Sequence, residues 1–178
     1  MEQTPDPIKI YGESILRTVC DDVTFPNPDL NKIVLSMFLI MYKSHGVGLA
    51  ANQIGLPIKV AVINVDPAAK ADEQIVLINP KIINSEGEQE AEEGCLSIPG
   101  ISAPRKRAEK VTVETNDLDG ETYTFEAEGL LAIACQHEID HLNGKLFIDE
   151  ISSMNKILIQ NKLKRLARAV KNQNKENK

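Results

Sequence analysis

Gln136-His137-Glu138-Ile139-Asp140-His141, inside the run from Gly129 to Gly144, decides how this chain is read. Leu130, Leu131, Ile133, Ala134 and Ile139 recur at helical spacing with no Pro or Gly between them, so a helix is expected from Leu130 to about Asn143. Histidines four apart on a helix sit about 40° apart around the axis and roughly 6 Å apart along it. Both imidazoles can then reach one ion. Glu138, next to the first histidine, can lie beside that ion without binding it and handle the proton of a bound water. A surface helix with two unrelated histidines is the plainer alternative. Against it, the chain has only three histidines and two fall in this pattern, among apolar neighbours.

The chain is 178 residues long and 42% hydrophobic, enough for one domain, 1–178, with an ordinary core. Tryptophan is absent and aromatics are sparse, which predicts an aliphatic interior. No stretch is long and apolar enough to span a membrane. Met1 to Ile10 carries Glu2 and Asp6 and lacks the pattern of a signal or transit peptide, so a cytoplasmic location is expected. Cys20 and Cys135 read as buried thiols; in a reducing compartment none of the three cysteines needs a partner. From Lys156 onward there are eight basic residues and one acidic, against twelve basic and twenty-five acidic before it. The acidic body disfavours nonspecific nucleic-acid binding, whereas the basic end is a separate matter.

Working outward, a short turn or helix is expected between Glu13 and Val19. Asn27-Pro28 reads as an N-cap and first helical position, opening an amphipathic helix over Asp29 to Lys43. Gly46-Val47-Gly48-Leu49-Ala50-Ala51-Asn52-Gln53 lets backbone approach a ligand closely but lacks the residues of a phosphate loop. His45 before it reads as an ordinary loop residue. Ile58 to Val65 and Ile75 to Ile78 read as strands, with Asp66 to Glu73 an exposed connection and Ser85 to Glu93 an acidic solvated loop. Val111 to Thr115 and Thr122 to Phe125 form a hairpin across Asp117-Leu118-Asp119-Gly120. A last helix begins near Ser153, with Ile159, Leu163, Leu166 and Val170 inward, and 172–178 form a frayed polar tail.

A catalytic site of this kind needs three protein ligands and an open position. No acid or histidine lies between Glu150 and Glu176, so the third ligand is expected from upstream. Cys95, in Glu93-Gly94-Cys95-Leu96-Ser97-Ile98-Pro99-Gly100, leads: a thiolate binds strongly and Gly94 gives access. Taken alone this cysteine could equally be structural.

Three segments together resemble the signature motifs of the peptide deformylases, in that family's order and spacing: Gly46 to Gln53, Glu93 to Ser97, and Gln136 to His141. The helical C-terminus is similar to the bacterial and organellar type. With it comes the expected fold class, α+β, with antiparallel sheets packed around a central metal-binding helix and a C-terminal helix. The resemblance implies one divalent metal on Cys95, His137 and His141 with water in the fourth position, Fe2+ physiologically, with Zn2+, Ni2+ or Co2+ able to replace it. It implies hydrolysis of N-formyl-methionyl nascent peptides, in which metal-bound hydroxide attacks the formyl carbon and formate leaves. Glu138 then moves the proton, and Gln53 and the Leu96 N–H meet the oxyanion. Val47, Ala91, Leu130, Ile133 and Ala134 line the methionine pocket, and Gly48 and Gly94 pair with the peptide backbone. Gln136 and Asp140 are expected behind the histidines, with Asp140 pairing to Arg107.

One departure stands out. Relatives often carry Arg where this chain has Ser102, and Arg105 and Lys106 are the candidates to compensate. The basic last helix suggests a ribosome contact. Rival readings are a zincin-type endopeptidase, a module with a structural metal, and a degenerate deformylase. The missing downstream ligand weakens the first, and the joint presence of Glu138 and Gln53 weakens the others.

Overall fold

The computed structural model describes residues 8–66 and 74–176. Within them the elements are α1 Leu30–Lys43, β1 Gly48–Ala50, β2 Val60–Ile63, β3 Ile75–Glu86, β4 Gln89–Gly94, β5 Ser102–Arg107, β6 Lys110–Asn116, β7 Thr122–Glu128, α2 Gly129–Leu142 and α3 Ser153–Glu176. Every paired strand is antiparallel. One sheet has the order β1-β2-β3-β6-β7, and β4 with β5 makes a second. The α+β architecture is the expected one.

Strand β2 shows why the layers form. All four of its residues are buried, because alternate side chains leave opposite faces of the sheet and a helix covers each face. Ala61 and Ile63, with Leu77 of β3, meet Ala132, Cys135 and Ile139 of α2. Val60 and Val62, with Ile78, meet Met37 and Met41 of α1. Each fully buried aliphatic side chain contributes about 1.5–3 kcal/mol, so this double covering is the main stabilising feature. A third cluster, around Leu16, Ile98, Leu146, Phe147 and Ile159, joins the end of α2 and α3 to the β4–β5 hairpin.

The predicted helices stand close to where the sequence put them. Helix α1 starts at Leu30, later than expected, because Asn27 Oδ1 accepts the Asp29 N–H in a turn ahead of the helix. Helix α2 ends where Gly144, with φ of 70°, allows a left-handed residue. Gly144 N–H donates to His141 O and Lys145 N–H to Asp140 O, the paired bonds that close such a helix end. Helix α3 turns Ile159 and Val170 inward as predicted and runs to Glu176, beyond Lys171. Gly12 packs so closely against Ala167 that a Cβ there would collide with helix backbone.

Two expectations about strands change. The run from Ile75 does not stop at Pro80: β3 continues to Glu86. Asn79 sits at φ 51° and the pairing with β6 shifts register between Ile78 and Lys81, so Pro80 falls at a bulge, where its missing N–H breaks no regular bond. Ser85 to Glu93 is no solvated loop: it contains the end of β3 and most of β4. Its partner β5, Ser-Ala-Pro-Arg-Lys-Arg, has none of the residues that usually mark a strand. The connection expected over Asp66 to Glu73 lies, apart from Asp66, outside the described residues, as do the residues before Ile8 and residues 177–178 of the expected tail.

Candidate metal centre and cleft

Helix α2 brings the two imidazoles one turn apart, with Nε2 of His137 and Nε2 of His141 separated by 3.2 Å. Cys95 follows directly on β4, and its Sγ lies 3.2 Å from His141 Nε2. All three donor atoms fall within 4.8 Å of one another. Bonds of about 2.0–2.3 Å to a tetrahedral ion would set its ligands about 3.3–3.6 Å apart, so the donor set fits a single cation. Among the described residues no further His, Cys, Asp or Glu joins the group, which leaves a coordination position to something other than protein.

Behind His137 stands a buried relay of charge. His137 Nδ1 meets Glu93 Oε2 at 2.9 Å. Arg107 grips Glu93 with two bonds, of 2.6 and 2.9 Å, and reaches Asp140 Oδ2 at 2.7 Å. Arg105 also reaches Asp140, at 3.0 Å, and Glu150, at 2.7 Å. The expected Asp140–Arg107 pair is therefore present, but neither Gln136 nor Asp140 touches an imidazole. Gln136 instead ties α2 to the backbone of Ala108 at 3.0 Å in both directions. Glu93, placed by the sequence reading in a solvated loop, is the group that orients His137.

His141 is held differently. Its backbone carbonyl accepts the Asn52 side chain at 2.6 Å, while its Nδ1 is buried with no protein partner. Gln53 is clamped at both ends: its Oε1 accepts the Ala50 N–H at 2.8 Å. Its Nε2 donates to Ser97 Oγ at 3.1 Å and faces Cys95 Sγ at 3.5 Å. The amide is thereby aimed at the metal centre. The Leu96 N–H beside it has no protein acceptor among the described residues.

Burial and neighbouring charge separate the titrating groups. Burial pushes the Glu138 carboxyl up to about 7, and the nearby His137 and Arg107 cations only partly oppose it. Its Oε2 has no protein partner. Burial would also raise Glu93, but Arg107 and then His137 overcome it and hold that carboxyl down at about 2. Burial depresses His137, yet Cys95 and Glu93 outweigh it and raise the imidazole to about 10. Burial, then the neighbouring His137 charge, drives His141 well below its ordinary value. The two touching rings are thus pushed in opposite directions, His137 toward its charged form and His141 away from it, and cation binding would displace the proton on His137. The thiols of Cys20 and Cys135 are pushed by burial to about 11 and about 12, as expected of inert core cysteines.

A cleft of about 750 Å³ opens onto this centre. Val47, Gly48, Gln53, Gly94, Leu96, Leu130, Ile133, Ala134 and Glu138 are among the residues that line it. Ala91 does not: on β4 it pairs with Arg105 of β5 and lies one residue before the stretch Glu92 to Leu96 that forms this wall. His45, set aside on sequence grounds, does line the cleft. Gly48 runs against the Glu138 carboxyl so tightly that a Cβ there would strike Oε1. Strands β1 and β4 are both sheet edges, and residues of both form the walls. Arg105 and Lys106 cannot stand in at Ser102, because they line a separate cavity of about 370 Å³ together with Arg107, Asp140 and Lys145.

Sequence and fold comparisons agree with this geometry. A family profile described as Polypeptide deformylase matches residues 5–157. A peptide deformylase of Acidobacterium capsulatum is 46% identical over 163 residues, covering 92% of this chain and 96% of that protein. The crystal structure of a peptide deformylase from Legionella pneumophila superposes with a TM-score of 0.83 at 42% identity, covering 91% of this chain and 95% of that one. A plant peptide deformylase structure gives a TM-score of 0.90 at 35% identity over 97% and 95%.

Proposed function

The chain belongs to the polypeptide deformylase family, whose members remove the N-formyl group from nascent peptides, and from that premise we propose how its own residues do so. Cys95, His137 and His141 hold one divalent ion. It is Fe2+ in the cell, and Zn2+, Ni2+ or Co2+ can replace it, since a thiolate with two imidazoles suits each of these. When bound, the ion supplies Lewis acidity at the formyl oxygen and lowers the pKa of water beside it.

Glu138 takes one proton from the attacking water and delivers it to the methionine nitrogen as the C–N bond breaks. A carboxyl poised at about 7 is suited to both halves of that task. The Gln53 amide and the Leu96 N–H donate to the formyl oxygen as negative charge collects on it. Val47, Leu130, Ile133 and Ala134 receive the methionine side chain. The peptide backbone lies between Gly48 and Gly94, adding a strand to the open edges. The whole chain, 1–178, acts as one catalytic domain in the cytoplasm; no helix among the described residues is long and apolar enough to cross a membrane. Lys162, Lys164, Arg165 and Arg168, all exposed on α3, contact ribosomal phosphates, so acidic substitutions there should abolish co-sedimentation with ribosomes.

The observation that carries the reading is the buried Glu138 carboxyl, without a partner on Oε2, beside a Cys-His-His cluster. Protein loaded anaerobically with iron should release formate from a formyl-Met tripeptide and leave casein intact. Casein cleavage without formate would transfer the site to the endopeptidases.

A further inference from the structure

The cleft that admits the peptide has an uneven charge. Neither Lys nor Arg is among its lining residues, while Glu92 is, exposed on β4 two residues before Gly94. In a strand, residues two apart share a face and lie about 6.6 Å apart. Glu92 therefore stands within two residues' reach of the edge that would pair with substrate backbone.

The surroundings of Glu92 leave its charge unspent. Opposite it on β5 is Pro104, which offers no side-chain donor. The cations of β5 are committed elsewhere: Lys106 to Glu88 at 2.7 Å, Arg105 to Asp140 and Glu150, Arg107 to Glu93 and Asp140. One partner remains, the Ser102 hydroxyl, which donates to Glu92 Oε1 at 2.5 Å and fixes the carboxylate at the mouth. The second oxygen, Oε2, has no partner among the described residues.

We propose that Glu92 is a specificity-determining residue, selecting formylated peptides that carry Lys or Arg within the two residues after methionine. This rests on the deformylase reading and extends it from methionine to its C-terminal neighbours. An ammonium or guanidinium group completes a charge-assisted hydrogen bond to Oε2, whereas a carboxylate in the same place meets a like charge. The acidic body of the chain adds a longer-range pull on cationic peptides, which salt screens.

The test compares formyl-Met-Lys-Lys-amide, formyl-Met-Glu-Glu-amide and formyl-Met-Ala-Ala-amide by formate release, using the iron-loaded protein. The Lys peptide should exceed the Glu peptide by roughly 10-fold in kcat/KM at low salt, mostly through KM, since attraction for one and repulsion of the other each contribute a factor of a few. In ~0.5 M salt the ratio should shrink to about 2-fold. Glu92→Gln should bring it there at low salt, and Glu92→Lys should invert it. Both variants replace an exposed side chain, so the fold does not confuse the result. A ratio near one in the wild type, or a ratio that survives Glu92→Gln, overturns the proposal while the deformylase reading stands. No formate from any of the three peptides removes the deformylase reading, and this proposal with it.

Discussion

The back and the mouth of the cleft are built on opposite principles. Behind His137, Glu93, Arg105 and Arg107 are each at most 6% exposed, and all of them are held by ionic hydrogen bonds. At the mouth, Val47 and Leu130 are 39% and 53% exposed, and among the described residues Glu92 is held by a serine hydroxyl alone. Buried charge is costly unless every partner is in place, so the back tolerates almost no change. Exposed groups contribute little to stability and are free to serve recognition. The contrast teaches that, on the roles proposed above, chemistry belongs to the buried side and selectivity to the exposed one.

Removing a donor at the back is the largest disturbance. Cys95→Ala should abolish stoichiometric metal retention, read by elemental analysis, and with it formate release. Glu138→Gln should keep the metal and lower kcat by about 10²–10⁴-fold. If turnover persists, the proton passes elsewhere. In the metal-free protein the same substitution should stabilise. A carboxyl raised to about 7 favours the fold below its ordinary value of 4.5, and that contribution is lost as pH rises through about 7. Glu138→Gln should therefore raise Tm at pH 8 and not at pH 4, an effect of about 1–3 kcal/mol.

Arg107→Met leaves Glu93 buried without its cation, and should cost about 3–5 kcal/mol in chemical denaturation. It should also weaken metal binding about 10–100-fold, because His137 loses its orientation. Glu93 gives the opposite pH dependence from Glu138. Its value, lowered to about 2, contributes stability above the ordinary 4.5 that disappears as pH falls toward about 2. Acid unfolding should begin in that window and flatten in Glu93→Gln. The smallest effect belongs to the mouth: Ser102→Ala should leave the unfolding free energy within about 0.5 kcal/mol of wild type, read in the same denaturation experiment. A larger loss would erase the distinction between the two regions.

The sequence made the back half legible where periodicity carried it. His137, Glu138 and His141 share a helix whose spacing alone predicts convergence, whereas the lack of a downstream ligand only pointed upstream, and the motif resemblance singled out Cys95 there. The hairpin β6–β7 was equally plain, since alternation and Asp-Gly both mark it. What stayed hidden was β4–β5. A run of five glutamates looks solvated, and only pairing with a basic strand reveals that Glu93 turns inward while Glu90 and Glu92 turn out. The brace on His137 was therefore missed, and Gln136 and Asp140 were given its task. His45 and Ala91 changed places because a cavity is lined by whatever the fold brings to its mouth, and spacing along the chain does not tell where a loop or a strand end falls in space.

Two sheets each leave a border facing the same hollow. Open borders of this kind ordinarily invite chains to clump. Recessed on either side of a slot, and joined by the client's backbone as proposed above, they would greet only a single slack thread, so a terminus already wound into a helix or packed into a finished domain would find no way in. The enzyme thereby keeps time with synthesis: it can act while the newborn end is still loose, and the folding of its client closes the opportunity.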